Sequence, residues 1–488
     1  MIGGRGMCHR RSAPMRSRRQ EVTLVVQEMH FETIAAIATP PGEGAIGIVR
    51  ISGPEALSVA ERVVRSKRRL SDVPSHTLVY GKVVDEHERI LDDVLVGVMR
   101  APRTYTGEDL IEINCHGGPV ILQRVLERVL QAGARLAQPG EFTKRAFLNG
   151  KMDLAQAEAV IDMVRAKSPK GLEIAALQLE GKLSEVVRTQ REAILDLLTH
   201  IQAVIDYPEE GLVDIAPEEV GARLAEISKE LQRLLAGADA GRIYREGIRV
   251  AIVGKPNVGK SSLLNAILQE DRAIVTPIAG TTRDLIEERA LLGGIPFTLT
   301  DTAGIRVTDD PVEMIGVERT RKAIEGADLI FLVVSGAEPL DSDDEAVIQQ
   351  VREAGAAARV LVVVNKADLP PALDREGLAK AAGEWPCVWV SAVTGMGLDH
   401  LEELASREVL GEAGAQDAIL LTRARHKAAL EEALAALKEA QATITEGLPL
   451  DLVSVDLQAA LEALGQVTGE SVSEEVVARI FAQFCVGK

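Results

Sequence analysis

Four short stretches carry residue types that bind phosphate groups and a base. Gly254-Lys255-Pro256-Asn257-Val258-Gly259-Lys260-Ser261 fits GxxxxGK[ST] between a strand-like run and a helical one. Such a loop turns backbone amides toward phosphate oxygens at a helix N-terminus. Lys260 then reaches the β and γ phosphates, and Ser261, followed by Ser262, ligates Mg²⁺. Asp301-Thr302-Ala303-Gly304 ends another strand-like run, where Asp301 can hold a Mg²⁺-bound water and the Gly304 amide can sense the γ phosphate. Asn365-Lys366-Ala367-Asp368 ends VLVVV, and Asp368 can accept two hydrogen bonds from guanine that adenine does not offer at those positions. Ser391-Ala392-Val393, after CVWV, completes the base pocket. Between the first two stretches, VTPIAGTTRD brings Thr276, Pro277, Ile278, Ala279, Gly280, Thr281 and Thr282 to the nucleotide, with Thr282 as the second Mg²⁺ contact. In this order the residues predict a guanine-nucleotide site that cleaves GTP. Where a Ras-like enzyme carries a water-orienting glutamine, however, this chain has apolar Ile305.

The elements that hold these residues alternate as strand, glycine loop and helix from GIRVAIVGKPNVGKSSLLNAIL to about residue 405. That alternation predicts a Ras-like P-loop G domain on a doubly wound, mostly parallel sheet. Residues 30–150 mix β-like runs and Gly/Pro turns with one helical segment, PVILQRVLERVLQAG, and read as α+β. Beyond residue 152 the apolar period becomes helical, with Leu179, Leu183, Val186, Ile194, Leu197, Ile201 and Val204 on one face of a long helix that stops at Pro208. Helical periodicity returns after residue 405. The expected fold class is therefore multidomain α/β and α+β. Its expected parts are an extension, 1–28, an N-terminal domain, 29–150, a helical domain in two halves, 151–245 and 411–488, and an inserted G domain, 246–410.

The whole chain narrows the function classes. Its 55 basic and 73 acidic residues give a net charge of −18, so an RNA partner must meet a local basic patch. Aromatic residues are 3% of the chain, too few for base-stacking platforms. Cys8, Cys115, Cys387 and Cys485 form no CxxC and no disulfide framework, which predicts no zinc site and a cytoplasmic setting. The first twenty residues hold six arginines and no acid. They read as a disordered extension or misassigned start, or as a mitochondrial presequence.

The strings GKPNVGKSS, IAGTTRD, DTAGIR and NKAD resemble a known family, the tRNA modification GTPases called MnmE or TrmE. ATPPGEGAIGIVRISG, TYTGEDLIEINCHGGP, PGEFTKRAFLNGKMDLAQAEAV and the terminal FCVGK extend the resemblance from about Phe31 to Lys488. It implies an N-terminal domain that binds tetrahydrofolate and dimerises, a helical domain and an inserted G domain. It also implies an FAD-dependent partner, MnmG (GidA). With that partner, such a protein adds an aminomethyl or carboxymethylaminomethyl group to C5 of the wobble uridine in certain tRNAs. A 5,10-methylene or 5-formyl tetrahydrofolate is the implied folate.

The resemblance further implies that K⁺ replaces an arginine finger, ligated by Asn257, Thr276, Ile278 and Thr281, and that Glu313 is the catalytic carboxylate. It carries folate contacts onto Arg50, Glu112, Lys151 and Lys488. Cys485 reads either as a nucleophile toward C6 of the uridine or as a packed tail cysteine. The competing function is a GTP-switched ribosome assembly factor of the Era or Der kind. No KH-like module follows residue 405 to support it.

Overall fold

The computed structural model describes residues 32–206, 216–269, 287–301, 321–354, 358–411 and 421–488, with the backbone alone for Glu287 and Asp301. Its contacts divide the chain into two units, 1–158 with 468–488 and 159–467. The expected second helical half, 411–488, is therefore shared between them, because its last stretch packs with the N-terminal residues.

In the first unit seven strands form one sheet: β1 (Ile34–Ile37), β2 (Gly44–Ser52), β3 (Val64–Ser66), β4 (Thr77–Val84), β5 (Ile90–Met99), β6 (Leu110–Gly117) and β7 (Arg135–Leu136). Their order is β3-β4-β5-β6-β2-β1-β7, antiparallel except for the parallel β1–β7 pair. Alternation puts Val49, Ile51, Val94, Val96, Ile111 and Ile113 on one face, where they share a core with the helices Ala56–Val63 and Pro119–Gln131. The second of these is the helix expected from PVILQRVLERVLQ, and Leu122, Val125 and Val129 are its buried residues. A helix at Ala56–Val63 and another at Glu141–Leu148 were not expected; both are only eight residues long, too short for a clear period.

The register places Arg50 opposite Glu112, Glu112 opposite Gly97, and Gly97 opposite Leu78, all on the other face of the sheet. The C-terminal helix Glu474–Phe481 belongs to this unit and buries Val477, Ile480 and Phe481. Phe481 packs against Phe147 with ring centroids 6.3 Å apart, and the Gly140 amide donates to the Cys485 carbonyl.

Arg145, 1% exposed, ties the unit together. It donates to Glu108 at 3.1 Å, to Glu141 at 2.9 Å and to the Glu32 carbonyl at 2.8 Å. Burial alone would raise the Glu141 carboxyl pKa, but the hydrogen bonds from Arg135, the Gln138 amide and Arg145 hold it below its ordinary value.

The second unit contains the helices and the nucleotide sheet. One correction concerns the long helix. It is broken at Gly181, whose φ of 89° is left-handed, into Pro169–Leu179 and Lys182–Asp206. Its buried line runs through Leu183, Val187, Ile194, Leu197, Leu198 and Ile201, so Val186 and Val204 lie beside that line.

The second sheet holds β8 (Ile248–Val253), β9 (Glu287–Leu292), β10 (Ile295–Asp301), β11 (Leu329–Ser335), β12 (Arg359–Asn365) and β13 (Cys387–Trp389), in the order β13-β12-β11-β8-β10-β9. All neighbours are parallel except β9–β10, as a doubly wound nucleotide fold requires. β11 is buried along its whole length. No helix among the described residues is long and apolar enough to cross a membrane.

Arg145→Met should destabilise the first unit by roughly 3–5 kcal/mol, because Glu108 and Glu141 lose a buried counter-charge. Hydrogen exchange of β1 and Glu141–Leu148 amides under guanidinium would measure it. A loss below about 1 kcal/mol would mean that this ion cluster behaves as a solvated surface pair.

Candidate functional site: a guanine-nucleotide pocket

Carboxyl ends of parallel strands are where such sheets bind ligands. Here the P-loop follows β8, the DTAG stretch begins at the end of β10, and Asn365 closes β12. Lys260 opens the helix Lys260–Gln269, so its own amide and its neighbours' sit at a positive helix end. The Lys260 side chain is 7% exposed and donates back to the carbonyls of Gly254 at 3.0 Å and Lys255 at 2.9 Å. Its ammonium is thereby aimed across the loop. Ser261 and Ser262 are exposed on the first turn of this helix.

Asn365 holds the pocket together. It is 2% exposed. Its Nδ2 donates to the Val258 carbonyl at 3.0 Å, and its Oδ1 accepts from the Ala392 amide at 3.1 Å. A carboxamide donates from its nitrogen and accepts at its oxygen, so one side chain serves both loops. The fit leaves no room beneath it: a Cβ on Gly259 would lie 2.3 Å from Asn365 Nδ2, and Gly259 has a φ of 94°.

On the far side, Ser391 Oγ donates to Asp368 Oδ1 at 2.6 Å and accepts from the Thr394 amide. Asp368 is otherwise exposed, so a carboxylate of fixed orientation faces solvent, as recognition of guanine's two donors demands. Lys366, at a φ of 64°, pairs with Glu338 at 3.2 Å. The Ala367 amide donates to Val390, joining the two base loops, while Val393 is 84% exposed at the lip. Asn257 is exposed with a φ of 65°, a conformation asparagine tolerates better than most residues.

Thr276, Pro277, Ile278, Ala279, Gly280, Thr281, Thr282, Thr302, Ala303, Gly304 and Glu313 lie outside the described residues, as does the side chain of Asp301. The structure brings together Val258, Gly259, Lys260, Asn365, Asp368, Ser391 and Ala392.

Lys255 was missed by sequence reasoning. It occupies a position that the loop pattern leaves open, yet its ammonium lies 2.7 Å from Asp344 and 2.8 Å from Asp341. Burial lowers the Lys255 pKa, but the two carboxylates outweigh that and raise it; burial raises Asp344. DSDDE, at the start of the helix Ser342–Ala354, reads in sequence as a solvated helix start. Nothing local reveals that a P-loop lysine lies on it.

In the first unit, Arg50 and Glu112 form an ion pair at 2.8 Å, and Arg50 Nη1 donates to the Gly487 carbonyl beside Lys488. Tyr105 and Phe142 flank the guanidinium at 5.7 Å each. Lys151 donates instead to the Pro102 carbonyl. Cys485 is exposed, while burial together with the Asp92 charge pushes the Cys115 thiol up to about 12. Cys115 is a packed thiol.

The G-domain arrangement agrees with comparisons to known proteins. A family model for the MnmE helical domain matches residues 154–485, and one for the GTP-binding protein TrmE N-terminus matches residues 33–151. A tRNA modification GTPase MnmE of Geobacillus kaustophilus is 49% identical over 463 residues, 94% of this chain and 99% of that protein. The proteins of the same name from Symbiobacterium thermophilum and Heliobacterium modesticaldum are 52% and 50% identical, each over 94% of this chain and 100% and 99% of their own. Among solved structures, the G domain of the Thermotoga maritima FeoB iron transporter is 28% identical, covering 34% of this chain and 98% of that one at a TM-score of 0.26. That likeness is too partial to carry weight.

Asn365→Ala should weaken GDP binding about 10–100-fold, since two buried hydrogen bonds worth roughly 1–3 kcal/mol each lose their partner. Asn365→Asp should do worse, because it sets a carboxylate oxygen against the Val258 carbonyl. Titration with fluorescent GDP separates the two, and an Asp variant that binds as well as wild type would refute the bridge.

With this pocket, with family models over both its N-terminal and its later residues, and with half-identical relatives along nearly its whole length, the chain belongs to the tRNA modification GTPase MnmE family and is a GTP hydrolase.

Proposed function

We propose that this chain couples GTP hydrolysis to modification of C5 of the wobble uridine in certain tRNAs, working in the cytoplasm as a homodimer with an FAD-dependent MnmG (GidA) partner. The observation that carries this reading is end-to-end alignment with relatives named for tRNA modification, not merely a shared G domain. The group added is aminomethyl or carboxymethylaminomethyl, and a tetrahydrofolate derivative supplies its one-carbon unit.

Residues of the first unit fit such a folate. Arg50 and Glu112 offer a cation for a carboxylate tail and an acceptor for paired pterin donors. Tyr105 and Phe142 give the surrounding apolar walls, and the Arg50–Gly487 hydrogen bond brings Lys488 into the same neighbourhood. Lys151 reaches the loop that carries Tyr105. Cys485, exposed near this tail, is the candidate nucleophile. Leu78, Tyr80 and Leu95, all exposed, lie on the same sheet face as Arg50 and support self-association through it.

In the G domain, Lys260 and the loop amides would bind the β and γ phosphates, Ser261 and Thr282 would ligate Mg²⁺, and Asp368 would select guanine. K⁺, when bound, would supply positive charge beside the phosphates in place of an arginine. Asn257 fits as one of its ligands, because its exposed side chain sits on the loop that faces the phosphates. Thr276, Ile278 and Thr281 are the other ligands proposed from sequence, and Glu313 would orient the water.

Two outcomes test this reading. Hydrolysis should be about tenfold or more faster in K⁺ than in Na⁺, and Asn257→Ala should abolish the difference; equal wild-type rates in both salts would end the potassium reading. Nucleoside analysis of tRNA from cells lacking the protein should find unmodified C5 at wobble uridines. An unchanged nucleoside profile would refute the tRNA function while leaving the GTPase intact.

A further inference from the structure

Most of the P-loop is explained by phosphate binding, but Lys255 is not. It is 7% exposed, and its side chain points away from the role that the motif gives to Lys260. Asp344, 4% exposed, takes its ammonium at 2.7 Å, and Asp341, at 52%, takes it at 2.8 Å. Both carboxylates are themselves held at the start of one helix: the Asp344 amide donates to Asp341 Oδ1, and the Asp341 amide donates to Asp344 Oδ2. The same Lys255 presents its main-chain carbonyl to Lys260 Nζ at 2.9 Å. Glu338 completes the group, 3.9 Å from Lys255 and 3.2 Å from Lys366 of the base loop.

We propose that Lys255 is a positioning residue for GTP and GDP: anchored by Asp344 and Asp341, it fixes the carbonyl that aims Lys260, and it neutralises acids that would otherwise repel a polyphosphate. The inference rests on the guanine-nucleotide reading of this pocket and adds a residue to it. Two physical effects act together. A lysine stem clamped at its far end removes backbone freedom from the loop before nucleotide arrives, so less ordering remains to be done on binding. Charge matters as well, because three carboxylates converge on this lysine, one of them, Glu338, shared with Lys366; without the Lys255 ammonium this group beside the phosphate loop becomes more negative by one charge. Asp344, being buried, depends most on the pair, since a buried carboxylate without its partner is strongly disfavoured.

The experiment uses the full chain and titrates fluorescent GDP against five variants, with steady-state GTP hydrolysis alongside. Lys255→Met should raise the Kd for GDP by about tenfold or more and should raise KM by a larger factor than it lowers kcat, the pattern of lost uniform binding. Lys255→Arg should restore binding to within a few-fold of wild type. The double variant Lys255→Met with Asp344→Asn, which removes the orphaned charge, should bind better than Lys255→Met alone. Asp341→Asn, at the exposed partner, should cost less than Asp344→Asn. Should Lys255→Met fail to fold, Asp344→Asn carries the same expectation.

A Lys255→Met protein that is folded and binds GDP within twofold of wild type overturns the clamp. So does a double variant no better than the single one. Wild-type protein that binds no guanine nucleotide would overturn the pocket itself, a result separable from the other two.

Discussion

One buried amide determines whether the nucleotide pocket exists as a unit. The phosphate loop lies 107 residues before Asn365 in the chain, and the second base-reading loop 27 residues after it. Asn365 joins them by donating to Val258 and accepting from Ala392 while shielded from water. In that low-dielectric position the two bonds cannot be replaced by solvent, so the loops hold their spacing without ligand. Gly259 is required by the same contact, because any side chain there would occupy the space of the amide. Asp368 and Lys260 then inherit their directions from loops that are already set.

The lysines of the pocket divide the work. Lys260 is bound to carbonyls of its own loop, a neutral and easily exchanged arrangement suited to a group that must turn to phosphate. Lys255 and Lys366 are bound to carboxylates, which is a more persistent arrangement suited to holding backbone.

In the first unit the sheet puts its apolar residues under two helices and leaves the opposite face to polar and exposed apolar side chains. The chain's last residues return to that face, so that Gly487 meets Arg50 across 437 positions of sequence. Phe147, Phe481 and Phe484 pack at this return, and Arg145 braces the helix they rest on. A chain end with only a short helix behind it gains its order from this contact rather than from its own periodicity.

Local pattern by itself determined the parts whose physics is local. The P-loop, the NKAD and SAV stretches, the parallel nucleotide sheet and the apolar faces of Pro119–Gln131 and Glu474–Phe481 all follow from spacing of three or four, alternation, or glycine placement. The Gly181 break could be read only with the left-handed turn in view, since an apolar period continues across it. Tertiary structure decided which long-range partners meet: Lys255 with Asp344, Arg50 with Gly487, Arg145 with Glu108, and Asn365 with two other loops. Charges and amides of this kind are indistinguishable from solvated surface in a sequence. Their value arises only once folding has removed water and fixed a distance, and no local period records that.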